Sequence, residues 1–152
     1  MYKRNEISQA REEFWKRLGQ YMIPVQPVGN NKVNWLNYRT GIKGILFKME
    51  AGLKDARISI QITEDAPQRE KLYERFSQLK KVFNKKVEGE WLWINEECDE
   101  NGKTISVIET VLEGVNVFEK NDWPAIISFF KSGMMGLDNF WTSVQVLFDT
   151  DE

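Results

Sequence analysis

The residues most able to do chemistry stand together in one polar and aromatic segment, residues 35–44, with the sequence WLNYRTGIKG. Aromatic rings stack on planar ligands and attract cations, and a guanidinium group binds carboxylates and phosphates. The segment is therefore suited to an anionic or planar partner. The side chains that could bind it are Trp35, Asn37, Tyr38, Arg39 and Lys43.

The same segment also has a structural interpretation. Trp35 and Tyr38 could plug one end of a sheet, and Asn37 could cap a turn. The two interpretations differ in what mutation of Tyr38 and Arg39 would do. A binding role predicts a folded variant that has lost its partner, whereas a structural role predicts loss of stability.

Catalytic candidates are few because the chain contains 0 histidines. This composition excludes Ser-His-Asp triads and imidazole acid-base catalysis, together with most zinc sites. A metal-dependent nuclease would need several converging carboxylates, and the candidates are Glu50, Asp55 and Glu64. Glu64 lies at the far end of the predicted hairpin, so the alternative is that all three are solubilising charges. We predict no bound cofactor.

The charges are nearly balanced, with 21 basic and 23 acidic residues and a net charge of -2. A whole-molecule attraction to nucleic acid or anionic lipid is therefore not expected. A local phosphate-binding stripe remains one interpretation of the second predicted helix. The alternative is a solvated face, because Glu70 and Glu74 interleave with the cations. These cations are Arg69, Lys71, Arg75, Lys80, Lys81, Lys85 and Lys86.

The elements around the 35–44 segment follow from apolar spacing. Residues 7–22 have the three- and four-residue steps of a helix that ends before Pro24. Two strands follow, and the second has a polar face that includes Arg57 and Gln61, which we add to the candidate binding residues. We expect a second helix capped by Asp65, with a core stripe of Leu72, Phe76, Leu79 and Phe83.

The second half of the chain repeats the pattern of two strands and a helix. The turn Asn101-Gly102 joins strands near residues 91–94 and 105–112. The fourth strand is apolar on both faces, so Glu109 could lie on the inner face, paired with Lys48 or Arg57.

We expect the last helix to begin after Asn121 and to be kinked or split at Gly133 and Gly136. Its apolar surplus at Phe129, Met135 and Trp141 suggests a homodimer as one hypothesis.

Together these elements predict an α+β domain in the order α-β-β-α-β-β-α. A four-stranded, mainly antiparallel sheet of two hairpins would have its helices packed on one face. We expect a single globular domain, residues 1–152, with an ordered core of about 7–148. There is no signal-peptide pattern and no apolar run of about 18 residues, so we expect no membrane contact and a cytoplasmic location.

Several short motifs follow one another along the chain: Phe14-Trp15, Gly19-Gln20-Tyr21, Trp35-Leu36-Asn37-Tyr38, Thr40-Gly41-Ile42, Trp91-Leu92-Trp93, Val115-Asn116-Val117-Phe118, Asp122-Trp123-Pro124 and Leu137-Asp138-Asn139-Phe140-Trp141. In this order they resemble an uncharacterised bacterial family catalogued as domain of unknown function 4268. The resemblance implies little about activity. Members occur alone or behind a nuclease-like front half, which suggests an association with DNA processing or defence. No catalytic residues can be transferred from the family.

The leading functional hypothesis is a non-enzymatic binding or interaction module. It would use the polar sheet face and residues 35–43 against a protein or nucleic-acid partner. The competing hypothesis is a metal-dependent nuclease-type hydrolase that uses Glu50, Asp55 and Glu64.

Overall fold

The elements follow the predicted order, except that the second helical region is divided in two. The structure, a computed structural model, describes residues 3–29 and 32–149, so residues 1–2, 30–31 and 150–152 of the predicted domain lie outside the described ranges. The helices are α1 Arg4–Met22, α2 Gln68–Gln78, α3 Lys80–Lys86 and α4 Trp123–Val144. The strands are β1 Ile45–Ala51, β2 Asp55–Ile62, β3 Leu92–Cys98 and β4 Thr104–Glu113. Short 3-10 turns lie at Trp35–Asn37, Lys120–Asp122 and Gln145–Leu147.

The four strands form one sheet in the order β1-β2-β4-β3, and every neighbouring pair is antiparallel. The two predicted hairpins are thereby confirmed. On β2 the side chains of Ala56, Ile58, Ile60 and Ile62 are fully buried. Since side chains alternate along a strand, this register directs the apolar face of the sheet to the helices.

The helices pack on that one face, as predicted. Aromatic rings fill the interface: Phe76 stacks on Trp141, and Phe14 meets Phe130 edge to face. The hydrophobic core runs from Phe14 in α1 to Phe148 after α4. The sheet and helices in the described ranges therefore share one core.

Two predicted helix starts were wrong in detail. The side chain of Asp65 does not cap α2; its backbone carbonyl accepts a hydrogen bond from the Arg69 N–H at 2.9 Å. At α4 the residue before the helix is Asp122 rather than Asn121.

The predicted split of α4 was also wrong, since the helix is continuous through Gly133. A Cβ atom there would collide with Cδ1 of Ile58. This glycine is needed for close approach of helix and sheet, and it does not break the helix.

Glu109 lies opposite Ser59, on the sheet face away from the helices. The expectation that it could lie on the inner face was therefore wrong. The reason is the register of β4, in which Ile108 opposes the buried Ile60 and so directs Glu109 to the other side. Of the two predicted partners, Lys48 and Arg57, the structure pairs Glu109 with Arg57.

Candidate functional site

The 35–44 segment is tied to α4 through a buried carboxylate. The Tyr38 hydroxyl donates a hydrogen bond to Oδ1 of Asp138 at 2.6 Å, and the Val28 N–H donates to Oδ2 at 2.8 Å. Asp138 is 2% exposed, so these donors replace the water that its charge would otherwise need. Burial, together with the neighbouring carboxylate, raises the pKa of Tyr38, which keeps the hydroxyl protonated as a donor.

The aromatic rings of this segment face the protein interior. Trp35 is buried, and its indole N–H points to the carbonyl of Val25 at 3.4 Å. The ring of Tyr38 stacks on Phe47, with ring centroids 5.1 Å apart. The geometry therefore favours the structural interpretation for these two aromatic residues.

The polar members of the segment remain at the surface. The residues Asn37, Arg39 and Lys43 are exposed. The turn is capped by Asn34 rather than Asn37, because Asn34 Oδ1 accepts the Leu36 N–H at 3.2 Å. A depression of about 390 Å³ lies beside Tyr38 and Arg39, but the carboxylate at its base already has two hydrogen-bond donors.

The second candidate surface is the side of the sheet opposite the helices, here called the open face. It forms a shallow depression of about 700 Å³ and contains both Arg57 and Gln61. In the described part of the chain no helix packs against it. Its apolar residues are Leu46, Leu92, Ile94, Ile105 and Val107.

Two of these apolar side chains are exposed, Leu46 by 43% and Leu92 by 60%. In contrast, Ile105 and Val107 are buried. The open-face residues of β2 are polar, so Leu46 on β1 is separated from the apolar residues of β3 and β4. Exposed apolar side chains grouped on one face are typical of a contact site.

The charged groups of the open face are mostly acidic. Arg57 Nη1 lies 3.7 Å from Glu109 Oε1, and Arg57 Nε is buried without a hydrogen-bond partner among the described residues. Burial raises the pKa of Glu109, opposed by Arg57 and reinforced by Glu97, Glu50 and Asp55. Among the charges that act on Glu109, Arg57 has the largest effect, and the other three are carboxylates.

The structure divides the seven predicted binding residues between two places. Trp35, Tyr38 and their neighbours lie beside the helical layer, whereas Arg57 and Gln61 lie on the open face. Gln61 points along its own strand and donates to Ser59 Oγ at 3.2 Å. The two groups of residues therefore do not form one site.

The three carboxylates of the nuclease hypothesis are also separated. Glu50 lies opposite Arg57 in the register of β1 with β2, near the end of the first hairpin at which Asp55 begins β2. Glu64 follows the other end of β2, about 30 Å from Asp55 at about 3.4 Å per residue. Within residues 3–29 and 32–149, no three acidic or cysteine side chains are grouped so that they could hold a metal ion.

The predicted cationic stripe is interrupted. Arg69, in the first turn of α2, is buried, and its Nη2 atom lies 3.9 Å from Oε1 of Glu96. The Lys80 ammonium lies over the ring of Trp93, 5.0 Å from the centroid. These two cations make internal contacts, whereas Lys71, Lys81 and Lys85 are exposed.

The comparison with known families bears on this fold directly. The family model described as Domain of unknown function (DUF4268) matches residues 10–145. The chain belongs to this family. The match begins within α1 and ends just after α4, so it includes the complete sheet of this DUF4268 domain and both candidate surfaces. No curated protein and no solved structure matches the chain.

Further residues emerge only from the structure of this DUF4268 domain. Asp138 was named only within a family motif and not as a candidate site residue, although an acid within the apolar spacing of α4 was a usable signal. Leu92 and Ile94 were assigned only to a strand. The sequence pattern that could have indicated the open face was a fourth strand with apolar residues on both faces, together with the polar face of the second strand.

None of the described helices is both long and apolar enough to cross a membrane.

The residues behind the homodimer hypothesis differ in their exposure. Trp141 is buried and donates its indole N–H to the Thr40 carbonyl at 2.9 Å. Phe129 is half-buried and Met135 exposed, so the apolar surplus at this place is small.

Proposed function

We propose that this chain is a non-enzymatic binding module whose open face holds a partner protein. The observation that carries the proposal is that two leucines, Leu46 on β1 and Leu92 on β3, are exposed on a face that no described helix covers. Burial of such exposed apolar area against a partner removes it from water, which stabilises the complex.

The edges of the sheet favour contact through the face. At the β1 edge, the Ile45 carbonyl accepts from Thr40 Oγ1 and the Ala51 carbonyl accepts from Arg11 Nη1. At the β3 edge, a register irregularity lies between Ile94 and Glu97. Bulges and charges at an edge oppose the addition of another strand. A partner is therefore expected on the face and not as a fifth strand.

The chemistry of the partner follows from the same surface. The exposed apolar side chains of this face need apolar side chains opposite them, which a protein offers and a nucleic-acid backbone does not. A link to DNA processing, which the family resemblance implies, would then run through the partner protein.

A photo-crosslinking experiment tests the proposal. Leu92 is replaced by p-benzoylphenylalanine in the full chain, and the matched control carries the same replacement at Val146, which is 65% exposed on the helical side against 60% for Leu92. We expect irradiation of cells to yield one defined adduct with another protein from position 92 only. Equal adduct patterns from positions 92 and 146, or no adduct from position 92, would refute the proposal.

A further inference from the structure

We infer that the open face binds a basic amphipathic helix of its partner. The apolar side of that helix would lie on the neighbouring apolar residues Leu92, Ile94 and Val107 of β3 and β4. Its lysine and arginine side chains would lie against the acidic rim. The inference rests on the proposed function, to which it adds the chemical class of the partner.

The rim supplies the first argument, charge complementarity. Five carboxylates and two cations line the depression, whereas the whole chain is nearly balanced with 23 acidic and 21 basic residues. The negative excess is therefore local to this face. The carboxylates belong to Glu50, Glu97, Asp99, Glu100 and Glu109.

The second argument is that most of this charge is not neutralised internally. Arg57 is engaged with Glu109. Lys103 belongs to the hairpin between β3 and β4. Its ammonium group lies 3.9 Å from Oδ1 of Asp65, which is not one of the five carboxylates of the rim. In the described ranges no ion pair joins Glu50, Glu97 or Glu100 to a cation. These carboxylates could therefore form ion pairs with cations of a partner.

The third argument is shape. Neighbouring strands lie about 4.8 Å apart, so the outer axes of the four-stranded sheet are about 14 Å apart. A helix with its side chains is about 10–12 Å across, which fits on such a face. A helix also places apolar side chains on one side and cations on the other, as this surface requires.

The same charges argue against nucleic acid on this face. Phosphate groups would meet five carboxylates in a depression that holds two cations, one of them already paired. Such an arrangement repels a polyanion, and lowering the salt concentration strengthens the repulsion.

Fluorescence anisotropy with three dye-labelled probes tests the inference. The probes are an 18-residue helical peptide of leucine and lysine, the same peptide with glutamate for lysine, and an 18-nucleotide single-stranded DNA. We expect only the lysine peptide to bind the wild-type chain at low salt. The double variant Glu97→Lys/Glu100→Lys should weaken this binding at least tenfold, and Glu97→Gln/Glu100→Gln should weaken it less.

A matched control separates the face from overall charge. Glu12→Lys/Glu70→Lys changes the net charge equally but alters exposed carboxylates of α1 and α2, and we expect its affinity to stay within twofold of wild type. The inference would be overturned if the two double lysine variants weakened binding of the lysine peptide equally. It would also be overturned if the lysine peptide did not bind the wild-type chain. Binding of the glutamate peptide that Leu92→Ser abolishes would also overturn it, yet would leave the proposed function standing. Binding of DNA that Leu92→Ser abolishes would contradict both the inference and the proposed partner protein. The proposed function itself fails on the crosslinking result at position 92.

Discussion

At the residue scale, the pair Tyr38 and Asp138 explains why an apparently reactive segment has a structural role. A carboxylate that is 2% exposed needs donors, and the Tyr38 hydroxyl at 2.6 Å is one of two. A short hydrogen bond to an ionised group is stronger than one between neutral groups. The same contact holds the 35–44 segment against α4.

Tyr38→Phe should therefore lower the free energy of unfolding by about 1.5–3 kcal/mol, because it leaves a buried charge with one donor fewer. Urea denaturation followed by circular dichroism measures the change. The matched control is Tyr21→Phe on exposed α1 surface, where we expect a change within about 0.5 kcal/mol. If the two variants were equally stable, the structural role of Tyr38 would be wrong.

At the element scale, the contact between α4 and the sheet decides how closely the two layers approach. Gly133 faces Ile58, a fully buried residue of the central strand β2. An added methyl group would have to displace Cδ1 of that isoleucine or move the helix. Overpacking of this kind destabilises a core even though alanine is the better helix former.

We expect Gly133→Ala to destabilise the chain by about 1–3 kcal/mol. Ile58→Val removes the Cδ1 atom that the new methyl group would meet, so the double variant should recover part of the loss. Chemical denaturation of both single variants and the double variant measures the coupling between the sites. Additive effects in this cycle would show that the helix and sheet tolerate the methyl group by another movement.

At the scale of the whole molecule, one hydrophobic core joins the ends of the described chain. It includes Phe14 of α1, Ile60 of β2 and Phe148 after α4. Phe148 lies against Trp141, with ring centroids 5.0 Å apart. Neither half of the chain can expose its part of this core without exposing the other.

The single domain predicted from the sequence should therefore unfold in one cooperative transition. Small single domains under about 150 residues usually do so. Midpoints in urea from far-ultraviolet circular dichroism and from tryptophan fluorescence should coincide. Two separate transitions would divide the chain into more than one folding unit.

The sequence by itself determined the element order, the two hairpins and the buried face of β2. It did so because apolar periodicity, Pro24 and the Asn101-Gly102 turn are local signals, and each is written within a few residues. The family membership was also evident, since its motifs are spread over most of the chain. Element boundaries such as the break at Leu79 were less accessible, because packing of α2 and α3 decides them.

Only the tertiary structure decided which candidate residues belong together. The partners Tyr38 and Asp138 are separated by 100 residues, and Arg57 meets Glu109 only through the register of β2 with β4. A register shift of one residue would move Glu109 to the other face, and no local pattern in β4 selects between the two. The helices cover a single side of the sheet and leave Leu92 exposed on the other, which is a property of the whole assembly of elements.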